Sequence, residues 1–202
     1  MIKLSVLEKI EGARFLKKLI KSIVGYFSCV CHGIKWYKGV YIGKGFKLTS
    51  KELYLKNNVS IRPNCDFFPK EYIKLGLGCD IGVRNRIAGN VILEDYVLVG
   101  PDNYIASVDH VYENPDIPVM FQGIFSSTSK HENLCIGEGS WIGTHVAIIG
   151  NVHIGKHCII GANTVITKDI PDYCVVVGNP GRIIKEYNFT TNKWEKITEQ
   201  NE

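Results

Sequence analysis

The sequence predicts an all-β solenoid in which short strands stack into triangular coils. Two stretches carry an aliphatic residue at every sixth position, and a small residue, usually glycine, follows most of these positions directly. The aliphatic positions are Leu75, Ile81, Ile87, Leu93, Val99, Ile105, Ile136, Ile142, Ile148, Ile154, Ile160 and Ile166. An α-helix cannot keep a six-residue repeat on one face, and a hairpin strand alternates every two residues. Short strands joined at glycine-assisted corners can keep it, because three corners close one coil and stacked coils bury the aliphatic column.

An earlier run of the repeat is less regular. Leu55, Ile61, Phe67 and Ile73 keep the six-residue spacing but lie two residues out of phase with the run that starts at Leu75. We interpret this shift as an insertion in one corner of the solenoid.

A longer interruption separates the two regular runs. The repeat stops at His110 and resumes near Leu134, which predicts a loop at residues 111–133 inserted between coils. Long loops in a regular solenoid tend to be functional. This loop is more apolar than a solvated loop needs to be, so we expect it to pack against a neighbouring subunit or the ligand.

Three segments follow from these patterns. Residues 1–38 are predicted to be a basic amphipathic helical segment, because apolar side chains recur at helical spacing and lysines fall largely off that stripe. Residues 39–185 form the solenoid domain, and residues 186–202 are predicted to be a short polar tail. The helical segment has two open interpretations: it packs on the end of the solenoid, or it lies on an anionic membrane surface.

Charge and cysteine content restrict the function classes. Residues 1–47 carry ten Lys and Arg against two Glu, whereas residues 48–202 carry 14 against 18 acidic residues, so a nucleic-acid-binding body is not indicated. The seven cysteines include no CxxC pair, which favours free thiols and a cytoplasmic protein. The apolar stretch at residues 22–31 is too short to span a bilayer.

The C-terminal half carries motifs beyond the repeat. They read IGEGSWIGTHV from Ile136, IGA from Ile160, TKDIP from Thr167 and GNPGR from Gly178. Together with the repeat they resemble the hexapeptide-repeat acetyltransferases, in particular the galactoside, maltose and polysaccharide or O-antigen O-acetyltransferases. The resemblance covers residues 40–185 and implies a left-handed parallel β-helix.

The same resemblance implies acetyl-CoA-dependent O-acetylation of a sugar hydroxyl on a cell-surface polysaccharide (O-antigen or capsule) or its precursor. Such a transfer needs a base that removes the hydroxyl proton, and neutral histidine suits this near pH 7. His110 is the candidate base, because it lies where the coil breaks into the insertion, as the catalytic histidine of the resembled enzymes does. Asp109 is a candidate to orient its ring, although another acceptor is equally open. We expect direct transfer without an acyl-enzyme.

The resemblance also implies a coenzyme A groove. Trp141 matches a position near the thioester end of the cofactor, with subunit-interface packing as the alternative. The other matched positions combine small residues with cations suited to the phosphates. They are Thr144, Gly161, Ala162, Thr167, Lys168, Arg182 and Lys185. Gly161 and Ala162 also satisfy the corner geometry of the repeat, and Lys168 and Arg182 also fit solvated surface charges.

The acceptor is less defined. The stretch that ends at Arg86 lacks the polar acceptor-binding residues of the galactoside enzymes, so galactoside or maltose is not favoured. Arg84 and Arg86 either contact an acidic sugar or phosphate or are plain surface charges. Tyr112 in the insertion is a further acceptor candidate.

Partners and rival functions complete the prediction. The resembled enzymes are trimers with active sites between subunits, which implies a homotrimer here. His153 and His157 are four residues apart but occupy different corner positions, so no required metal is expected. The alternatives left open are an N-acetyltransferase of a nucleotide-linked amino sugar, a γ-type carbonic anhydrase and a non-catalytic scaffold.

Overall fold

A computed structural model describes residues 37–126 and 131–197, together with Ile23, Phe27, Cys29, Val30, Ile34 and Lys35. The described chain is a parallel β-solenoid of about seven turns. In chain order the strands are β1 (Tyr41–Ile42), β2 (Lys47–Leu48), β3 (Leu53–Leu55), β4 (Ser60–Ile61), β5 (Asp66–Leu75), β6 (Asp80–Ile81), β7 (Arg86–Leu93), β8 (Leu98–Val99), β9 (Tyr104–Ala106), β10 (Val108–His110), β11 (Ile124–Ser126), β12 (Leu134–Ile136), β13 (Trp141–Ile142), β14 (Ala147–Ile149), β15 (His153–Ile154), β16 (Ile159–Ile160), β17 (Val165–Ile166), β18 (Cys174–Val177), β19 (Arg182–Asn188) and β20 (Lys193–Lys196). A 3₁₀ turn spans Val119–Phe121.

Three faces run along the solenoid, and the strands of successive coils stack on them. Face 1 stacks β1, β4, β6, β8, β13, β16 and β18 in parallel. Face 2 stacks β2, the first half of β5, the first half of β7, β9, β14 and β17. Face 3 stacks β3, the second halves of β5 and β7, β12 and β15. Strands β5 and β7 are long because each continues around the corner between faces 2 and 3.

The core is the aliphatic column that the six-residue repeat predicts. Every repeat position from Leu75 to Ile105 and from Ile136 to Ile166 is at most 2% exposed. Burying such a side chain contributes about 1.5–3 kcal/mol to folding. Cys65, Cys79 and Cys158 are also buried in this core.

The corners depend on residues that tolerate positive φ. Between faces 3 and 1, Gly139 (φ +68°) stacks under His157 (φ +51°), and a Cβ on Gly139 would lie 2.5 Å from the His157 Nδ1 atom. Between faces 1 and 2, Arg84 (φ +56°) and Asp102 (φ +61°) occupy equivalent positions in consecutive coils. Asparagine recurs at these corners because its short polar side chain tolerates the left-handed region better than most.

Both predicted interruptions are present. Pro69 pairs with Gly89 and Ile73 with Val91, so β5 holds two residues more than β7 at this corner, which confirms the predicted shift. The long insertion leaves the coil after β9 and returns at β12. It begins earlier than residue 111, because β10 already pairs with β11 in an antiparallel hairpin outside the coil.

The N-terminal segment is described at only a few residues. The predicted N-terminal helix lies outside the described residues, except that Ile23, Phe27, Cys29 and Val30 have helical backbone. Cys29 and Ile34 are buried in the solenoid core. Among the residues described, no helix is both long and apolar enough to cross a membrane.

The predicted polar tail at residues 186–202 is described as far as Ile197 and contains strand structure. Strand β19 crosses that boundary, pairs antiparallel with β18, and pairs in turn with β20. Aromatic contacts hold this extension: the Tyr187 ring centroid lies 5.0 Å from that of Phe189 and 5.4 Å from that of Trp194. These aromatic residues pack on one another rather than in the main column.

Candidate active site

His110 is the last residue of β10, at the start of the insertion. Its side chain is exposed, and its backbone pairs with Ile124 of β11. The Asp109 carboxylate accepts a hydrogen bond from the His110 backbone N–H at 2.8 Å. This contact is to the main chain and does not itself orient the imidazole ring. An exposed imidazole at this position can take a proton from a bound hydroxyl.

Four of the predicted coenzyme A residues line one depression of about 260 Å³ at the corner between faces 1 and 2. They are Trp141, Thr144, Gly161 and Ala162. Trp141 is 49% exposed on face 1, where it pairs with Leu98 and Ile159 of the adjacent coils. The Thr144 hydroxyl donates to the Pro101 carbonyl at 3.1 Å. The floor is built from small residues because the coils approach closely there: a Cβ on Gly143 would lie 2.8 Å from the Ala162 nitrogen.

Three more of these residues line a second depression of about 240 Å³. They are Thr167, Lys168 and Arg182. This depression lies beyond β17, where the loop before β19 stacks on face 2 through a hydrogen bond from the Gly181 N–H to the Val165 carbonyl at 2.8 Å. Two exposed cations beside it suit an anionic ligand. Lys185 is placed elsewhere, on β19 opposite Val175 of β18.

The three acceptor candidates lie in three different elements. Arg84 occupies a corner, and its guanidinium binds the Asp102 carboxylate in a bidentate pair. Arg86 lies on β7 with its guanidinium carbon 4.5 Å from the centroid of the Phe68 ring. Tyr112 is exposed in the insertion. The geometry therefore favours the surface-charge interpretation for Arg84.

A histidine–aspartate cluster emerges that the sequence did not indicate. The His131 and His153 rings stack with centroids 3.5 Å apart, and His131 Nε2 lies 2.9 Å from Asp169 Oδ2. All three line a depression of about 450 Å³ beside face 3. His131 and Asp169 are 38 residues apart in sequence, so no local spacing could reveal the pair.

The fold separates His153 and His157, which are four residues apart in sequence. His153 lies on β15, whereas His157 lies in the next corner and stacks on Tyr173 with ring centroids 5.3 Å apart. Within the described residues, no group of three or more His, Cys, Asp and Glu is arranged to hold a metal ion.

Comparison with known proteins decides the family. A family model described as a bacterial transferase hexapeptide of six repeats matches residues 136–168. WbbJ of Escherichia coli K12, provisionally named a lipopolysaccharide biosynthesis O-acetyl transferase, is 31% identical over 166 residues, which cover 71% of this chain and 80% of WbbJ. The chain belongs to the hexapeptide-repeat transferase family.

Other relatives of this hexapeptide-repeat transferase match over shorter shares of their length. The galactoside O-acetyltransferase of Escherichia coli K12 is 34% identical over 59% of this chain and 60% of that protein. A Mycobacterium tuberculosis protein, provisionally named an acetyltransferase, is 28% identical over 63% of this chain, which spans only 48% of that protein.

Solved structures resemble this hexapeptide-repeat transferase in fold. AntD, an N-acyltransferase from Bacillus cereus solved with dTDP and 3-hydroxybutyryl-CoA, has a TM-score of 0.64 at 20% identity over 76% of this chain and 83% of AntD. PerB from Caulobacter crescentus, solved with CoA and GDP-perosamine, has a TM-score of 0.57 at 18% identity over 77% of this chain and 61% of PerB.

Proposed function

We propose that this protein is an acetyl-CoA-dependent O-acetyltransferase that acts on a sugar hydroxyl of a cell-surface polysaccharide, O-antigen or capsule, or of its precursor. The observation that carries the proposal is the depression in which Trp141, Thr144, Gly161 and Ala162 meet. Trp141 and Thr144 belong to one coil and Gly161 and Ala162 to the next, and stacking of the two coils brings them to one corner. The relationship to WbbJ favours a polysaccharide acceptor.

The two depressions suit different parts of the donor. The first has small residues and exposed backbone beside Trp141, which fits the pantetheine arm and thioester. The second presents Lys168 and Arg182, which fit the phosphates through charge-assisted hydrogen bonds. That AntD and PerB were both solved with a coenzyme A species supports the same donor class.

In the reaction, the neutral His110 imidazole takes the proton of the sugar hydroxyl as its oxygen attacks the thioester carbonyl. The carbon–sulfur bond then breaks, the acetyl group remains on the sugar oxygen, and the coenzyme A sulfur takes the proton from His110 and leaves as the thiol. A cysteine nucleophile is not favoured, because burial raises the pKa of Cys135 to about 11 and the other described cysteines are buried. Transfer is therefore direct.

The assembly and location belong to the same proposal. The β-helix is left-handed, and the active species is a homotrimer with intersubunit sites. Met120 and Phe121 of the insertion, 76% and 73% exposed in the single chain, support burial against a neighbour. The protein acts in the cytoplasm, with its basic N-terminal segment as a peripheral membrane contact.

A second candidate is N-acetylation of a nucleotide-linked amino sugar. The structural resemblance to AntD, an N-acyltransferase, and to PerB, solved with GDP-perosamine, favours it. An amine acceptor also needs a base, so His110 serves either reaction. An acceptor screen with hydroxyl and amino sugars, followed by mass spectrometry of the product, separates the two.

Donor binding is the first test. Calorimetric titration of acetyl-CoA into the intact protein should give micromolar affinity, and Lys168→Ala or Arg182→Ala should weaken it about tenfold through loss of a charge-assisted contact. Lys193→Ala on β20 is the matched control and should bind as the parent does. Absence of heat at several temperatures would overturn the proposed donor.

His110→Ala tests the chemistry. It should lower kcat by about 10²–10⁴ without changing acetyl-CoA affinity, because a general base acts in the transition state rather than in donor binding. His157→Asn, an exposed histidine in a distant corner, is the control. Unchanged turnover in His110→Ala would show that another group is the base, whereas absence of turnover in the parent protein would favour the scaffold alternative.

A further inference from the structure

Besides Asn133, whose Nδ2 donates to the Tyr72 hydroxyl at 3.3 Å, the return end of the insertion contacts the solenoid through His131. Its carbonyl accepts a hydrogen bond from Asn151 Nδ2 at 2.8 Å, its ring stacks on His153 with an interplanar angle of 9°, and its Nε2 lies 2.9 Å from Asp169 Oδ2. The His131 side chain is only 18% exposed. A loop that merely crosses the surface needs no such set of contacts.

Asp169 joins two parts of the candidate site. It directly follows Thr167 and Lys168, which line the second depression. Its Oδ1 accepts the His153 backbone N–H at 2.8 Å, while its Oδ2 faces His131. Donation from that N–H, together with the His131 contact, lowers the pKa of Asp169 and keeps it an acceptor for both partners.

At its other end the insertion carries His110. Strand β10 pairs with β11 residue by residue, from Val108 with Ser126 to His110 with Ile124. His131 is the fifth residue after Ser126. His110 and His131 thus lie in the same insertion, with β11 between them in sequence.

We propose that His131 and Asp169 are positioning residues that fix the insertion, and with it His110, relative to the corner that carries Lys168. This inference rests on the proposed function, since it gives the pair a role in aligning base and donor. A partly exposed contact between an imidazole and a carboxylate contributes little to stability. Misplacement of a reacting group by about 1 Å can lower a rate about 10²-fold, so alignment is the larger effect.

Three substitutions separate the contacts. His131→Phe keeps a ring against His153 and removes the bond to Asp169. His131→Gln keeps an N–H donor for Asp169 and removes the ring. Asp169→Asn keeps an oxygen acceptor for the His153 N–H and removes the charge. His157→Asn is the control for replacing a histidine outside the insertion.

His131→Phe and Asp169→Asn should lower kcat about tenfold or more, leave the acetyl-CoA dissociation constant within about twofold, and speed amide hydrogen exchange in β10 and β11. His131→Gln should restore most of kcat and of the exchange protection. Wild-type kcat and exchange in His131→Phe would overturn the inference, and so would equal losses in the Phe and Gln variants. If the parent protein binds no acetyl-CoA, the proposed function fails. The exchange rates then still decide whether the pair holds the insertion.

Discussion

Arg84 Nε and Nη2 each lie 2.6 Å from an oxygen of Asp102, so the Arg84 guanidinium binds a carboxylate at the corner of the next coil. Both residues have positive φ at equivalent corner positions. A second bidentate pair between consecutive coils joins Arg62 to Asp80 of β6, with Arg62 Nε and Nη2 lying 2.9 and 2.6 Å from the Asp80 oxygens. Such ion pairs between consecutive coils indicate coil-to-coil alignment rather than recognition of a sugar.

Arg84→Asn is therefore expected to leave acetyl transfer intact. Asparagine accepts the left-handed backbone at this corner, and exposed ion pairs contribute little, so kcat/KM should stay within about twofold of the parent value. Arg62→Gln is the control, because it removes another bidentate arginine–aspartate pair between coils at a position never assigned to the acceptor. A selective rise in acceptor KM for Arg84→Asn alone would restore Arg84 as an acceptor contact.

Acid should destabilise the solenoid through its corner carboxylates. Hydrogen bonds from Arg84 to Asp102 and from Lys56 to Asp95 lower the pKa of each carboxyl. A carboxyl with a lowered folded pKa contributes stability above its unfolded value of about 3.9, and this contribution is lost as pH falls through the folded pKa. The free energy of unfolding should thus be level above about pH 5 and fall below about pH 4.

Urea unfolding across this pH range measures the effect. Asp95→Asn should make the decline below about pH 4 shallower, because the variant has no proton to bind at that site. A decline of unchanged slope in this variant would show that the Lys56–Asp95 pair contributes nothing to acid sensitivity.

The sequence predicted the solenoid because its signal is local and repeated. Each inward residue from Leu75 onward occupies the same place in a six-residue unit, and the two-residue shift before it corresponds to the extra residues in β5. The first depression was predictable for the same reason: Trp141, Thr144 and Gly161 keep fixed offsets from the repeat. The position of Lys185, away from the second depression, could not be predicted in this way, because β19 leaves the repeat and pairs antiparallel with β18.

Contacts made by the insertion lay beyond sequence reasoning. His131 meets Asp169 and His153 only because the insertion returns to face 3 beside β15. That path is set by backbone pairing and turn geometry, neither of which has a residue period. A lone histidine in an aperiodic segment gives no indication of its partner.

Adjacent residues on β16 provide a test of which side chains face the core. Ile160 is fully buried in the aliphatic column, whereas Ile159 is only partly buried on the outer surface of face 1. Ile160→Ala should lower the free energy of unfolding by about 2–5 kcal/mol, through lost burial and the cavity left behind. Ile159→Ala should lower the free energy of unfolding clearly less. Equal decreases for the two variants in urea unfolding would contradict the assignment of Ile160 to the core side of β16 and Ile159 to its outer side.

Donor binding and subunit packing both explain why Trp141, a large aromatic residue, is 49% exposed. Replacing Trp141 separates the two roles. If its indole contacts the thioester end of the donor, Trp141→Ala should raise the acetyl-CoA dissociation constant about tenfold while the sedimenting species keeps its mass. Leu98→Ala is the matched control, since Leu98 is the face 1 neighbour of Trp141 and is 48% exposed. Loss of the oligomer in Trp141→Ala, with donor affinity lost only in proportion to the dissociated fraction, would assign Trp141 to the interface instead. Sedimentation velocity and calorimetry on the same preparation measure both quantities.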